Sequence, residues 1–204
     1  MSSIAILDYG LGNLRSVARA VERMGGRPEV TSNPDRVADA GALVLPGVGS
    51  FGVCMRALRG AGLEPAIRAA VEAGRPVLGV CLGLQILFEG SDEASEPGLG
   101  LLPGRVERLP SSVKVPHMGW NSVVWTSRHP WVAQAPDGSH FYFVHSFAVP
   151  AEHPATVGVT EYGRPLAAAV AKGPIFATQF HPEKSGPAGL ALYGALVRRV
   201  EAAA

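Results

Sequence analysis

The sequence has few of the features that mark secreted, membrane-spanning or nucleic-acid-binding proteins. Its two cysteines, Cys54 and Cys81, are too few for a secreted disulfide framework and are typical of free thiols in a reducing compartment. There is no run of about 18 apolar residues to predict a membrane span, and no basic segment before an apolar stretch to predict a signal peptide. The net charge of +1 favours neither nucleic acid nor an anionic membrane as a partner. We therefore expect a cytoplasmic protein.

The spacing of common metal sites is missing as well. Among six histidines and two cysteines, no pair shows the C-x₂-C or H-x₃-H arrangement that zinc sites use. We expect neither a metal nor a cofactor.

The composition predicts one globular domain. The chain has 204 residues, of which 47% are hydrophobic and 17% are charged, so it can bury its own core. There is no internal repeat and no segment that reads as a linker between two domains. We expect a single domain over residues 1–204.

The first half of the chain alternates short apolar runs with helical patterns. Three runs are nearly continuous in apolar residues, as in parallel strands that are buried on both faces: Ile4–Leu7, Ala42–Leu45 and 76–80. Apolar residues at helical spacing from Leu14 to Val21 predict one helix, and residues 63–73 predict another. This alternation indicates a parallel sheet with helices on both faces.

The second half favours short strands separated by proline and glycine. An acidic segment, residues 91–99, is expected to form an exposed loop before them. The predicted strands are 123–125, 141–144, 156–159 and 166–171, followed by a final helix from Pro187. The predicted fold class is therefore α/β, with an open, mostly parallel, flavodoxin-like sheet flanked by helices and a mixed or antiparallel extension in the second half.

Cys81 lies in a context that is typical of a nucleophile. The segment Gly79-Val80-Cys81-Leu82-Gly83 directly follows a predicted buried strand, and residues 84–88 continue as a helical run. A nucleophile on such a turn needs flanking glycines, since side chains there would crowd the bend. The helix start favours a thiolate and directs the Leu82 N–H toward an oxyanion formed beside the sulfur. The alternative for Cys81 is an inert buried cysteine at a strand end, which the turn disfavours but does not exclude. Cys54 has no such turn, and we expect it to pack in a helix.

His181 and Glu183 supply a base and a carboxylate. The predicted strand 175–180 ends at His181-Pro182-Glu183, and residues i and i+2 of an extended segment point to the same side. A carboxylate placed this way can fix the tautomer of the imidazole and leave its other nitrogen facing the sulfur. Taken alone, H-x-E more often marks a surface histidine, so the pairing with Cys81 carries the hypothesis.

A glycine-rich loop, residues 46–52, follows the strand Ala42–Leu45. Its glycines allow backbone amides to approach a ligand closely. In an open parallel sheet this loop would share the carboxyl edge with Cys81, where ligands bind.

These residues resemble the class I glutamine amidotransferases, a family of Cys-His-Glu glutaminases on a flavodoxin-like sheet. The resemblance spans nearly the whole chain and rests on two signature blocks, residues 79–85 and 177–183. It implies hydrolysis of the side-chain amide of L-glutamine by Cys81, His181 and Glu183 through a thioester. It also implies that the oxyanion donors are Leu82, Val48 and Gly49. The substrate contacts that it implies are Gly47, Gln85, His145, Ser146 and Phe147.

Three further segments, residues 8–17, 45–51 and 115–121, are similar to one branch of the family. In that branch the glutaminase subunit passes ammonia to a (β/α)₈-barrel cyclase in histidine biosynthesis, and the two subunits form a heterodimer. The resemblance therefore implies a cyclase partner, with neither nucleic acid nor membrane involved. The residues that we expect near that partner are Asn13, His117, Trp120 and Lys184.

Other readings stay open at this point. The chain could be the glutaminase subunit of another amidotransferase, and the rival enzyme class is a cysteine peptidase or a DJ-1-like thiol protein on a similar sheet. A non-catalytic binding protein that has kept only the fold would be expected to lack one member of the triad, and none is missing here.

Overall fold

The computed structural model describes residues 2–203, which form a layered α/β arrangement. Its helices are α1 Leu14–Arg23, α2 Pro34–Asp39, α3 Phe51–Gly60, α4 Leu63–Glu72, α5 Leu82–Gln85 and α6 Gly186–Ala202. Its strands are β1 Ile4–Leu7, β2 Pro28–Thr31, β3 Ala42–Leu45, β4 Val77–Val80, β5 Gly90–Ser91, β6 Arg105–Arg108, β7 His117–Ser122, β8 Val124–Trp125, β9 His140–His145, β10 Phe147–Ala148, β11 Thr156–Glu161, β12 Pro165–Lys172 and β13 Ile175–Thr178. A 3₁₀ turn, Pro182–Lys184, precedes α6.

The main sheet has eight strands in the order β2-β1-β3-β4-β13-β12-β11-β8. The pairs from β2 to β13 are parallel, and those from β13 to β8 are antiparallel. The predicted fold class, a mostly parallel sheet with an antiparallel extension in the second half, is confirmed. Two smaller sheets, β10-β6-β5 and the ribbon β7-β9, lie beside it.

Alternation along the central strands explains why both faces of the sheet carry helices. Ile4 and Ile6 pack into a core with α1 and α6, while Ala5 and Leu7 pack into a second core with α3 and α4. Successive side chains of a strand point to opposite faces, so a strand that is covered on both sides must be apolar throughout. Every residue of β1, β3, β4 and β13 is buried.

Several predicted segments differ from the observed elements at their ends or in extent. The helical run expected over 84–88 is instead α5, which begins earlier and has only 4 residues. The edge strand β2 was not predicted, because none of its residues is fully buried and its sequence therefore has no apolar run. Among residues 2–203, no helix is long and apolar enough to cross a membrane.

The segment 91–99, expected to be an exposed loop, is partly buried. Ser91 and Leu99 are buried, and the carboxylate of Glu93 accepts a hydrogen bond of 2.8 Å from the N–H of Phe51 at the start of α3. The carboxylate satisfies one of the backbone donors that a helix start leaves without an intrahelical partner. The prediction of a wholly exposed loop was therefore wrong.

The order of the central strands places three chain segments at one edge of the sheet. Strands β3, β4 and β13 are adjacent and parallel, so the segments that follow them lie side by side. Those segments are the glycine-rich loop, Cys81 and His181. The backbone N–H of Cys81 donates to the carbonyl of Thr178 at 2.8 Å, which ties the end of β4 to the end of β13.

We expect Gly83→Ala to destabilise the protein strongly. A Cβ at Gly83 would overlap the backbone carbonyl oxygen of Leu45 in β3, and backbone of a buried strand cannot move aside. Overpacking of this kind costs about 3 kcal/mol, which would be measured as a lower free energy of unfolding in urea. Gly60→Ala is the matched control, since a Cβ there meets nothing within 4 Å and the position is helical. Equal stability of the two variants would contradict the close approach of α5 to β3.

Candidate active site

Cys81 occupies a strained turn between β4 and α5. Its φ is +54°, and it is the one non-glycine residue with positive φ in the part of the chain that the structure describes. Such a conformation costs about 1–3 kcal/mol and is held here by the strand before it and the helix after it. Because α5 has only 4 residues, its dipole can favour the thiolate less than the sequence suggested.

The imidazole of His181 is hydrogen-bonded to Glu183. The distance from Nδ1 to Oε1 is 2.8 Å, and the two side chains are 3% and 1% exposed. The backbone of His181 is also held, since its N–H donates to the carbonyl of Tyr142 at 2.9 Å and its carbonyl accepts from the hydroxyl of Ser185 at 2.6 Å.

The backbone geometry that pairs His181 with Glu183 differs from the one predicted from the sequence. Glu183 lies in the 3₁₀ turn Pro182–Lys184 and not in a continuous extended segment, while His181 itself is extended. The expected contact is present, but the turn produces it. Pro182 suits the first position of this turn, because its ring fixes φ and it has no N–H to leave unsatisfied.

The pKa of His181 is raised from its ordinary 6.5 to about 10. Burial alone would lower this pKa, but the nearby sulfur of Cys81 and the carboxylate of Glu183 outweigh burial by favouring the imidazolium. Nε2 of His181 is buried and makes no hydrogen bond of ordinary geometry within residues 2–203, which leaves it free to face the sulfur. At neutral pH the arrangement therefore favours imidazolium beside the sulfur.

Tyr193 of α6 lies behind Glu183. Burial raises the pKa of the Tyr193 hydroxyl well above its usual range, and the carboxylate of Glu183 raises it further. Both the hydroxyl and Oε2 of Glu183 are buried, and neither has another hydrogen-bond partner among the described residues. Tyr193 lies on the buried face of α6, and no sequence pattern predicted that it faces the carboxylate.

A cavity of about 280 Å³ opens beside the sulfur. The residues that line it come from six parts of the chain: Val48, Gly49, Cys81, Leu82, Gln85, Glu93, Pro116, Val144, His145, Ser146, Phe147 and His181. A larger groove of about 770 Å³ runs along residues 125–137 but contains none of the predicted site residues. The smaller cavity is therefore the candidate active site.

Most of the residues predicted to bind substrate or an oxyanion line this cavity, and Gly47 is the exception. A Cβ at Gly47 would lie 2.8 Å from Cβ of Leu82, so this glycine lets the loop pack against the turn at Cys81. Val48 and Gly49 line the cavity beside Leu82, whose N–H is the first of α5 and has no intrahelical partner. Glu93 was missed as a lining residue because its segment was read as a solvated loop.

Both amide N–H groups of Gln85 are used in hydrogen bonds within the protein, which limits how Gln85 can bind a ligand. Nε2 donates to the carbonyl of Phe147 at 2.9 Å and to Oε1 of Gln179 at 3.0 Å. An amide has two N–H donors, so only the oxygen of Gln85 remains for a ligand. Gln85 can therefore accept a hydrogen bond from a bound molecule but cannot donate one without rearranging.

The four residues expected near a partner are not equally exposed. Asn13 and Lys184 are exposed, and the indole of Trp120 is 58% exposed. His117 is only 4% exposed and is stacked between the rings of Phe143 and Tyr162. The side chain of His117 therefore lies inside the protein, which leaves the other three at the surface.

We expect replacement of Cys81 to lower the pKa of His181. The sulfur is one of the groups that raise this pKa to about 10, so Cys81→Ala should move the titration of the His181 ring toward neutral pH. Since the folded-state pKa lies above the unfolded 6.5, the protonated ring contributes stability below about pH 6.5 that is lost as pH rises toward about 10.

Ring ¹H–¹³C NMR titrations of the wild type and the variant would measure the shift. The ring of His145, with a pKa of about 3, should not titrate above pH 5 in either protein and is the internal reference. The same titration midpoint for His181 in both proteins would contradict the electrostatic link between the imidazole and the sulfur.

Solved structures with low sequence identity share the fold. One described as "Crystal structure of glutamine amidotransferase" matches with a TM-score of 0.76 and 21% identity, covering 97% of this chain and 98% of that chain. Another, described as "Structure of PurLQS from Thermotoga maritima", matches with a TM-score of 0.75 and 23% identity, covering 97% and 99%.

Sequence comparisons identify the family. An imidazole glycerol phosphate synthase subunit HisH from Moorella thermoacetica is 48% identical over 203 residues, which is 97% of each chain. The protein of the same name from Aromatoleum aromaticum is 49% identical, over 93% of this chain and 95% of its own length. The sequence model of the family "Glutamine amidotransferase class-I" matches residues 5–193. The chain belongs to the class I glutamine amidotransferase family.

Proposed function

We propose that this protein is the glutaminase subunit of an imidazole glycerol phosphate synthase. In this role it hydrolyses L-glutamine to glutamate and ammonia, and it passes the ammonia to a cyclase subunit in histidine biosynthesis. The observation that carries the proposal is the cavity that brings the sulfur of Cys81 and the imidazole of His181 together, with Glu183 behind the ring. Near-full-length relatives that are 48% and 49% identical carry the name of that subunit.

The cavity suits a free amino acid better than a peptide. Its volume is about 280 Å³, which is too small for an extended peptide. Glu93 is the one carboxylate that lines it, and Oε1 of Gln85 is available as an acceptor, so these two groups match the α-ammonium of glutamine. Ser146 and Phe147 line the same cavity. This geometry favours a glutaminase over a cysteine peptidase or a DJ-1-like protein.

The first half of the reaction forms a thioester and releases ammonia. The thiolate of Cys81 attacks the amide carbon of glutamine, and the electron pair of the C=O bond moves onto oxygen. The raised pKa of His181 keeps its ring protonated at neutral pH, so Nε2 can donate its proton to the departing nitrogen. The intermediate then collapses, breaking the C–N bond and leaving ammonia and a neutral imidazole.

The second half hydrolyses the thioester. The neutral imidazole accepts a proton from water as the water oxygen attacks the thioester carbon. Collapse of this second oxyanion expels the thiolate and leaves the γ-carboxylic acid, which releases its proton to solvent to give glutamate. Cys81 and His181 are then back in their starting forms. Glu183 keeps Nδ1 protonated throughout, so that Nε2 is the nitrogen that exchanges protons.

Both oxyanions need hydrogen-bond donors beside the sulfur. The N–H of Leu82 and an N–H of Val48 or Gly49 are the candidates, because all three residues line the cavity. A preorganised donor of this kind is worth about 3 kcal/mol in a related setting. Gly49 has φ of +99°, so this position of the loop requires a glycine.

The partner surface that we propose lies behind the histidine. The indole of Trp120 packs edge-on against Tyr142 with ring centroids 6.2 Å apart, and Nζ of Lys184 lies 5.4 Å from the centre of the same Tyr142 ring. The carbonyl of Tyr142 holds the backbone N–H of His181. A (β/α)₈-barrel cyclase bound here, forming a heterodimer, would contact residues one step from the imidazole. We also place the subunit in the cytoplasm, a proposal that its two free cysteines support.

We expect Cys81→Ala to abolish ammonia release from glutamine in the complex with the cyclase. The variant removes the atom that forms the thioester, so the loss should be at least about 10³-fold. The measurement is ammonia and glutamate production in the presence of the cyclase and its nucleotide ligand.

Cys54→Ala is the matched control for this experiment. The thiol of Cys54 is buried away from the cavity, and burial raises its pKa to about 12. This variant should keep most of the glutaminase activity. Near-normal ammonia release by Cys81→Ala would remove the basis of the proposed function.

We expect Trp120→Ala to weaken binding of the cyclase about tenfold or more. A large aromatic side chain at the centre of an interface commonly contributes more than 1 kcal/mol. Titration calorimetry with the cyclase would measure the affinity. Val30→Ala is the control, because Val30 is also exposed, at 45%, but lies on β2 at one end of the main sheet. The ribbon β7-β9, which carries Trp120, contacts β11 near the other end. Equal affinities for the two variants would count against this surface.

A further inference from the structure

Gln179 touches the nucleophilic sulfur although it belongs to neither the triad nor the cavity lining. Its side chain is 1% exposed, and its amide Nε2 lies 3.7 Å from Sγ of Cys81, within hydrogen-bond range of a sulfur acceptor. An uncharged donor buried against a sulfur favours the form that carries negative charge, because charge strengthens the hydrogen bond. The approach comes from the side of β13, since Gln179 directly follows Thr178.

The amide of Gln179 cannot turn its oxygen toward the sulfur without losing a bond. Its Oε1 accepts a hydrogen bond of 3.0 Å from Nε2 of Gln85. Flipping the amide would place two donors against each other at Gln85 and an oxygen against the sulfur. Gln85 therefore determines which end of Gln179 faces Cys81.

The amide of Gln85 is oriented in turn by the carbonyl of Phe147. That carbonyl accepts both the second N–H of Gln85 at 2.9 Å and Nδ1 of His145 at 2.9 Å. Since a carbonyl has no proton to give, the ring of His145 must carry its proton on Nδ1. Nε2 of His145 is then an acceptor.

His117 completes the orientation from the ribbon β7-β9. Its Nδ1 lies 3.0 Å from Nε2 of His145 and must donate to it, which leaves Nε2 of His117 as an acceptor for Nδ2 of Asn121 at 3.4 Å. Asn121 is itself oriented, because Nδ2 also donates to the carbonyl of Glu161 and Oδ1 accepts from the N–H of Ser122. Each donor and acceptor between Asn121 and Cys81 thus has one assignment.

This assignment requires both histidines to be neutral. Burial lowers the pKa of His145 to about 3 and that of His117 to about 4, so neither ring carries a second proton at neutral pH. A second proton on either ring would place two donors against each other. The Cys81 sulfur interacts electrostatically with His181 and, through the core, with Tyr9. The titratable groups Glu93 and His145 line the same cavity as the sulfur.

A competing contact shows why the sulfur needs such a donor. Sγ of Cys81 also lies 3.7 Å from the carbonyl oxygen of Val144, which can accept a hydrogen bond from a thiol but repels a thiolate. The carbonyl therefore favours the unreactive form. The amide of Gln179 acts on the same atom in the opposite sense.

We propose that Gln179 is a catalytic residue that stabilises the thiolate of Cys81 through its amide N–H, and that His117, His145 and Gln85 are positioning residues that hold this amide in its productive orientation. The inference rests on the proposed glutaminase function and deepens it. It adds to the triad one hydrogen-bond donor to the sulfur. This donor stabilises the thiolate, whereas the carbonyl of Val144 destabilises it.

The test is the rate at which iodoacetamide alkylates Cys81 in the purified full-length chain, followed from pH 5 to pH 10 with the Cys81→Ala variant as the background. Gln179→Met keeps the size of the side chain and removes the donor, so alkylation at pH 7 should slow by roughly tenfold or more, and the profile should move toward higher pH. Gln179→Glu keeps the acceptor for Gln85 and places an oxygen against the sulfur, so it should slow the reaction at least as much. His117→Phe should shift the profile in the same direction by less.

Gln134→Met is the matched control, because Gln134 is exposed and is not one of the residues that line the cavity, and its profile should coincide with that of the wild type. If Gln179→Met folds and its profile is unchanged, the proposal is overturned. If that variant does not fold, an unchanged profile for Gln179→Glu overturns it equally. Alkylation needs neither glutamine nor the cyclase. A wild type that alkylates as expected but releases no ammonia with its cyclase would therefore refute the proposed function and not this inference.

Discussion

The parallel pairing of β4 with β13 is the constraint on which the active site depends. The nucleophile and the base lie far apart in the sequence, and neither has a local partner that would bring them together. Val80 is in register with Thr178, and the N–H of Cys81 extends the ladder by one further hydrogen bond to the Thr178 carbonyl. With the strand ends aligned, the residues that follow each strand have little freedom in where they lie.

The electrostatics of the site follow from that alignment and from burial. A carboxylate that is 1% exposed can hold a charge only beside a compensating group, and the imidazolium of His181 is that group. The imidazolium in turn favours negative charge on the sulfur. The backbone strain at Cys81 is a further cost of the arrangement, and the core on both faces of the sheet offsets it. Stability of the scaffold and reactivity of the site are thus linked through the same two strands.

Much of this could be predicted from the sequence because the strong patterns are local. The continuous apolar runs predicted β1, β3 and β4, and the two signature blocks identified Cys81, His181 and Glu183 as candidates. What could not be predicted depends on contacts between distant segments. In the sequence alone Glu93 resembles a solvated acid, and only the fold shows that it bonds to the start of α3. The proposed roles of Gln179 and His117 likewise depend on contacts among β13, α5 and β7 that the sequence does not reveal. The 3₁₀ turn at Glu183 was missed because a three-residue turn leaves no periodic signal.

The two ends of the main sheet have a consequence for how this protein meets other molecules. At one end the sheet stops with β8, a strand of 2 residues, and at the other with β2, a strand of 4 residues that begins with proline. Edges this short offer few unpaired backbone groups, so a second chain gains little by adding a strand there. Association through main-chain ladders is disfavoured at both ends, which protects a protein with such an apolar sheet from filament growth. Recognition is left to side chains displayed on loops and on the ribbon, where it can be selective.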